Sequence, residues 1–77
     1  MSLERLDKRF GIAAIESGFI TPEQLYEAIK IQVMEELEGA KRQLIGEILR
    51  KKEYITNLQI DEVLLSMGIK LSNSIIQ

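Results

Sequence analysis

The side chains that most often perform chemistry are scarce in this chain. It contains no histidine and no cysteine, which removes the commonest general base, the thiol nucleophile and the usual zinc ligands. Disulfides are excluded with them. Aspartate occurs only as Asp7 and Asp61, both expected on solvated helix faces rather than opposed as a catalytic acid–base pair would be. Glu35, Glu36 and Glu38 end a predicted helix, where acids oppose the dipole. They read as a solvated face paired with Lys41 and Arg42, not as a metal site. The basic run Arg50-Lys51-Lys52 falls at another predicted helix C-terminus, where cations favour the dipole. The expectation is a protein that is not an enzyme, with no catalytic residue, no metal and no required cofactor.

Gly11 and Gly46 are the remaining candidates. Glycine inside a helix costs about 1 kcal/mol relative to alanine, so its recurrence asks for a reason. The simpler one is close helix–helix approach between two halves of the molecule; the functional one is close approach of a ligand to bare backbone.

Those two glycines belong to a repeat. Residues 9–32 and 44–67 read as two copies of one helix-turn-helix unit, 35 positions apart, with identities at Gly11/Gly46, Ile20/Ile55, Thr21/Thr56, Gln24/Gln59 and Glu27/Glu62. Leu3, Leu6, Phe10, Ala13 and Ala14 form a helical stripe over about residues 3–17, closed by Gly18. Thr21-Pro22-Glu23-Gln24 combines an N-cap, a first-turn proline and a capping-box glutamine. The helix it opens is expected over residues 22–38, with Leu25, Ala28, Ile29, Val33 and Leu37 inward and Tyr26, Ile31 and Met34 left as spare apolar surface. Gly39 interrupts the pattern. A third helix is expected over residues 40–52 with Leu44, Ile45, Ile48 and Leu49 buried, and Thr56-Asn57-Leu58-Gln59 opens a fourth that buries Ile60, Val63, Leu64 and Met67. If the second unit copies the first, Glu53 takes the left-handed position of Gly18. The tail, residues 69–77, carries Ile69, Leu71, Ile75 and Ile76 and is expected to meet the core or a partner.

The predicted fold is therefore all-α, a small four-helix array of two tandem helix-turn-helix units in one domain, residues 1–77, with an apolar tail. Seventy-seven residues leave no room for a second core, and 45% apolar residues suffice for one. A net charge of −2 gives no broad attraction to nucleic acid. The second helix of each unit would be the reader, offering Glu23, Glu27 and Lys30 in the first and Asp61 and Glu62 in the second, so a DNA-binding helix-turn-helix is disfavoured. No apolar run approaches the roughly 18 residues of a membrane span, and the start has no signal-peptide apolar region. A cytoplasmic protein without membrane insertion is expected.

The run Arg9-Phe10-Gly11, then Ala14-Ile15, Gly18, Leu25, Ile29 and Gln32, resembles the repeated motif of the MshE-type N-terminal domain of type II secretion and type IV pilus assembly ATPases, a bacterial family. Gly46-Glu47-Ile48-Leu49 with Tyr54-Ile55-Thr56 looks like the second copy, and the resemblance spans about residues 9–69. Members carry the motif in tandem, and several bind cyclic di-GMP across the two copies. The resemblance implies ligand-binding roles for Arg9, Phe10, Gly11 and Gly18, with Gln32 as a polar contact and Gly46 as the second-copy glycine. An arginine fork suits a guanine edge or phosphate. The second copy departs from the pattern: Leu44 stands for arginine, Glu53 for glycine, Met67 for glutamine, and Arg50 occupies an apolar position.

Together these features suggest a non-catalytic regulatory or adaptor module that acts through protein–protein interaction, with cyclic di-GMP as the ligand the resemblance implies. The alternative is a dimerisation or interaction scaffold with no nucleotide ligand. Tyr26, Ile31, Met34, Ile75 and Ile76 are its candidate contacts, and the partner is either a second copy or a secretion or pilus component.

Overall fold

The computed structural model describes residues 3–68, which form four helices: α1 (Leu3–Glu16), α2 (Pro22–Leu37), α3 (Ile45–Lys51) and α4 (Asn57–Ser66). No strand occurs among the described residues. The expected all-α array is present. Ile75 and Ile76, with the rest of the tail, lie outside the described residues.

The repeat holds at the level of single hydrogen bonds. Thr21 Oγ1 accepts from Gln24 N at 3.1 Å while Gln24 Oε1 accepts from Thr21 N at 3.0 Å. Thr56 and Gln59 reproduce both bonds at the same lengths. At the preceding turn, Phe19 N donates to Ala14 O and Gly18 N to Ile15 O. Tyr54 N to Leu49 O and Glu53 N to Arg50 O repeat that pair in the second unit. Both turns are Schellman motifs, which need a left-handed residue just past the helix. Gly18 supplies it at φ 81° and Glu53 at φ 66°.

Packing runs across the units rather than within them. The main interhelical contacts join α1 to α4, α2 to α3, and α1 to α3. Thus the first helix of each unit lies on the second helix of the other, and the two first helices meet between them. The core is one cluster drawn from both copies, with Phe10, Ala14, Leu25 and Ala28 from the first and Ile45, Ile48, Leu49 and Val63 from the second. Neither unit could bury its apolar face alone.

Gly46 meets the expectation of close approach between units, since a Cβ there would lie 3.2 Å from Phe10 Cε1. Gly11 does not. Its virtual Cβ falls 2.5 Å from Leu25 Cδ1, so the close approach is between α1 and α2 of one unit.

Two further expectations are corrected. The third helix starts at Ile45, not near residue 40, because Leu44 N–H is bound to Glu47 Oε1 and Ile45 N–H to Asp7 Oδ1. These bonds fix the helix start at that point. Val33 and Leu37 do not face inward; they are 47% and 82% exposed. Helix lengths explain Leu37. At about 1.5 Å per residue, α3 spans roughly 10 Å against roughly 24 Å for α2. It covers α2 only from Glu27, which meets Lys52 and Tyr54 past the end of α3, to Gln32 and Glu35, which meet Gln43 before its start. Beyond Glu35, α2 outruns its neighbour.

Candidate functional site

Two polar pins hold the seam between units, one at each end of α3. At the N-terminal end Asp7, only 6% exposed, reaches from α1. Its Oδ1 accepts from Ile45 N at 2.8 Å, its Oδ2 accepts from Gln32 Nε2 at 2.6 Å, and Arg42 Nη2 stands 3.8 Å away. Gln32 Nε2 also donates to Gln43 O at 2.8 Å. Leu44, the α3 N-cap residue, has no side-chain acceptor. Asp7 therefore caps α3 from another helix, placing a carboxylate at the positive end of its dipole. Asp7 was expected on a solvated face and is buried instead. A signal was present in the spacing: Asp7 precedes Phe10 by one helical turn and Ala14 by two, so it shares the apolar face. Asp61 is exposed as expected.

At the other end, Glu27 Oε1 accepts from Tyr54 Oη at 2.9 Å and Glu27 Oε2 pairs with Lys52 Nζ at 2.8 Å. The Lys52 hydrogen bond, then that of Tyr54, holds the Glu27 carboxyl below the usual carboxylate range. The same contacts raise Lys52 and Tyr54, because both are favoured in their protonated forms beside a carboxylate. Phe19 occupies the position of Tyr54 in the first unit and has no hydroxyl, so this pin exists on one side only.

The residues proposed to bind a ligand are spread over separate parts of the molecule. Phe10 and Gly46 come together, in a cleft of about 360 Å³ also lined by Leu6, Leu44, Ile60, Leu64 and Met67, with Asp7, Glu47, Arg50 and Asn57 as its polar members. Arg9 lies elsewhere, in a groove of about 380 Å³ shared with Ile12, Ala13, Glu16, Ser17, Ser66 and Met67. Gly11 is buried beneath Leu25, Gly18 closes α1 in open space, and Gln32 is engaged by Asp7 and Gln43. Gln32 also borders a cavity of about 530 Å³, with Arg5, Lys8, Arg42 and Ile29 among its walls.

The candidate interaction residues divide similarly. Ile31 packs partly buried against the core, whereas Tyr26 and Met34 are 67% and 49% exposed. With Val33 and Leu37 they form an apolar row on the outer side of α2, and Lys30 is the charged member on the same side. Sequence periodicity missed Leu37 as a surface residue because the starting point of α3 is not written in α2.

Among the described residues no cluster of acids could hold a metal ion, and no helix is long and apolar enough to cross a membrane. Comparison with family models, with curated proteins and with solved structures yields no match.

Proposed function

We propose that this chain is a non-catalytic adaptor module that acts through protein–protein interaction on the outer face of α2. The observation that carries the reading is the row Tyr26, Val33, Met34 and Leu37, left exposed among the described residues. Contiguous exposed apolar side chains mark interaction sites. The acids drawn into the interior or the seam support a non-catalytic role, since Asp7 and Glu27 are committed to amides, a cation and a hydroxyl that hold the helices together. The test is site-specific photo-crosslinking in the native host, with the probe at Tyr26 or Leu37 and a control probe at exposed Lys41. A discrete adduct from the α2 positions and none from Lys41 is expected; equal labelling from all three would overturn the reading. An adduct with a second copy would make the association a homodimer, with Met34→Lys expected to reduce the sedimentation mass.

A second reading is binding of cyclic di-GMP by a cytoplasmic module of the secretion and pilus type. It is supported by the resemblance of the first copy and by the second copy's retention of the same turn bonds despite Glu53 and Leu44. The meeting of Phe10 with Gly46 across the units adds to it. Calorimetric titration with cyclic di-GMP, with GTP as control, tests it. Saturable binding lost in Arg9→Ala at unchanged melting temperature supports the reading, and absence of heat at high micromolar ligand removes it.

A further inference from the structure

We propose that the apolar cleft between α1, α3 and α4 is filled by the chain itself, with Ile69 and Leu71 as the side chains that occupy it. Both residues lie just past the described ones, and the proposal is independent of the α2 face.

The turn at the end of α4 sends the chain that way. Gly18 and Glu53 each take the left-handed position after a helix and donate N–H to the carbonyl three residues back, Ile15 and Arg50. Gly68 does the same, with φ 85° and Gly68 N to Leu65 O at 3.0 Å. In the first two turns the next residue, Phe19 or Tyr54, donates to the carbonyl five residues back and packs its ring against the core. That contact between the residue after the left-handed position and the last full turn of the helix is a regular part of the Schellman motif. After Gly68 the next residue is Ile69, and five positions before it stands Leu64, a wall of the cleft.

The cleft suits such an occupant. Leu6, Ile60, Leu64 and Met67 on its walls are only half-buried. Its volume of about 360 Å³ is at the small end of the roughly 300–1,000 Å³ of clefts that hold a whole small molecule, which favours a few side chains over a helix. Alternate side chains of an extended segment share a face. Ile69 and Leu71 therefore turn inward together, with Lys70 towards solvent. Arg50 and Asn57, on the polar side of the cleft, supply donors for the carbonyls that such a segment brings. The apolar alternation ends at Ser72-Asn73-Ser74.

Reach decides between this segment and a second copy. Leu71 is three residues from Gly68, about 10 Å in extended form, so it stays beside Met67 and Leu64. A tether that short gives an effective concentration on the order of millimolar, well above that of the same segment on another molecule. Phe10 and Gly46 line the same cleft, so a ligand binding there must first displace Ile69 and Leu71.

The experiment is nuclear Overhauser spectroscopy on the full chain, with isoleucine and leucine methyls and phenylalanine rings labelled. Contacts from the Ile69 and Leu71 methyls to the Phe10 ring and to Leu6 or Leu64 methyls are expected. The paired substitutions Ile69→Ser and Leu71→Ser should erase them at unchanged helical circular dichroism. They should also lower the melting temperature by about 5 °C, the scale for uncovering one apolar side chain, and admit an apolar fluorescent dye that the parent excludes. Lys70→Ser should do none of this. Contacts to Phe19 or Tyr26 instead, no contact to any cleft residue, or a paired variant that excludes the dye as the parent does would each overturn the proposal. Contacts found only between differently labelled copies would overturn it too, by making the occupant a second molecule.

Discussion

Glu53, at φ 66°, occupies the left-handed position that Gly18, at φ 81°, holds 35 residues earlier. The hydrogen bonds around the two residues are the same, so the turn imposes the conformation and the side chain tolerates it. A non-glycine residue there carries a strain of about 1–2 kcal/mol, partly offset because glycine loses more chain entropy on folding. Glu53→Gly should therefore stabilise the protein by about 0.5–1 kcal/mol, read as a higher urea midpoint at unchanged slope. Gly18→Ala should destabilise it by a similar amount. A neutral or destabilising Glu53→Gly would show that the exposed glutamate recovers the strain through contacts of its own.

Asp7 makes α3 conditional on α1. With seven residues α3 is too short to persist alone, and its N-cap residue Leu44 offers no acceptor. Asp7→Ala would leave Ile45 N–H and Gln32 Nε2 without their shared carboxylate, at a cost of about 2–4 kcal/mol. Asp7→Asn keeps one acceptor oxygen and should cost roughly half as much. Amide exchange is the discriminating measurement. Protection should fall first over Ile45–Lys51, while α2 is affected less. Uniform loss across all four helices would mean that Asp7 supports the fold globally rather than through the cap.

What could be read in advance follows from how local each determinant is. The two Thr–Gln capping boxes and the turns at Gly18 and Glu53 depend on four or five consecutive residues, and they fell where their spacing placed them. The inward face of α2 did not, because Leu37 is apolar on a helix that runs past the start of its neighbour. The start of α3 is capped by Asp7, 38 positions away from Ile45. The candidate ligand residues failed to gather for a related reason. Arg9 and Phe10 are adjacent in sequence but point to different faces of α1, one into the groove beside Ser66 and the other onto Gly46. Gln32, taken as a polar contact for a ligand, finds its partners within the chain.

Gly11 and Gly46 are equivalent in the repeat and should respond differently to alanine. At Gly11 the new Cβ would meet Leu25 Cδ1, Cδ2 and Cγ at 2.5, 3.1 and 3.3 Å, so that buried side chain must shift within the core to clear it. At Gly46 the nearest atom is Phe10 Cε1 at 3.2 Å, which a small ring shift relieves. Alanine returns about 1 kcal/mol of helix propensity at an interior position and less near the start of α3. Gly11→Ala should therefore lose about 1–2 kcal/mol net and Gly46→Ala should be within about 0.5 kcal/mol of the parent. The order of the two urea midpoints decides the matter, and a more damaging Gly46→Ala would place the critical close approach between the units instead.

The seam pin at Glu27 gives stability a pH dependence with a definite sign at each end. Glu27 is held below the usual carboxylate range, so its contribution is complete above about pH 5 and is lost as acid protonates it in the folded state. Lys52 and Tyr54 are raised, so their contributions are complete below about pH 9.5 and are lost as base removes their protons. The melting temperature should form a plateau between these limits and fall on both sides. Glu27→Gln removes the carboxylate that shifts all three groups, so it should lower the plateau and make both shoulders shallower. Because Lys52 and Glu27 are partly exposed, with side chains 38% and 39% accessible, salt should shrink the difference between parent and variant. Melting curves from pH 3 to 11, roughly spanning the titration ranges of carboxylates and tyrosine, test this at low and high salt. Parallel profiles for parent and Glu27→Gln would assign the pH dependence to other carboxylates and leave the pin with no measurable share of it.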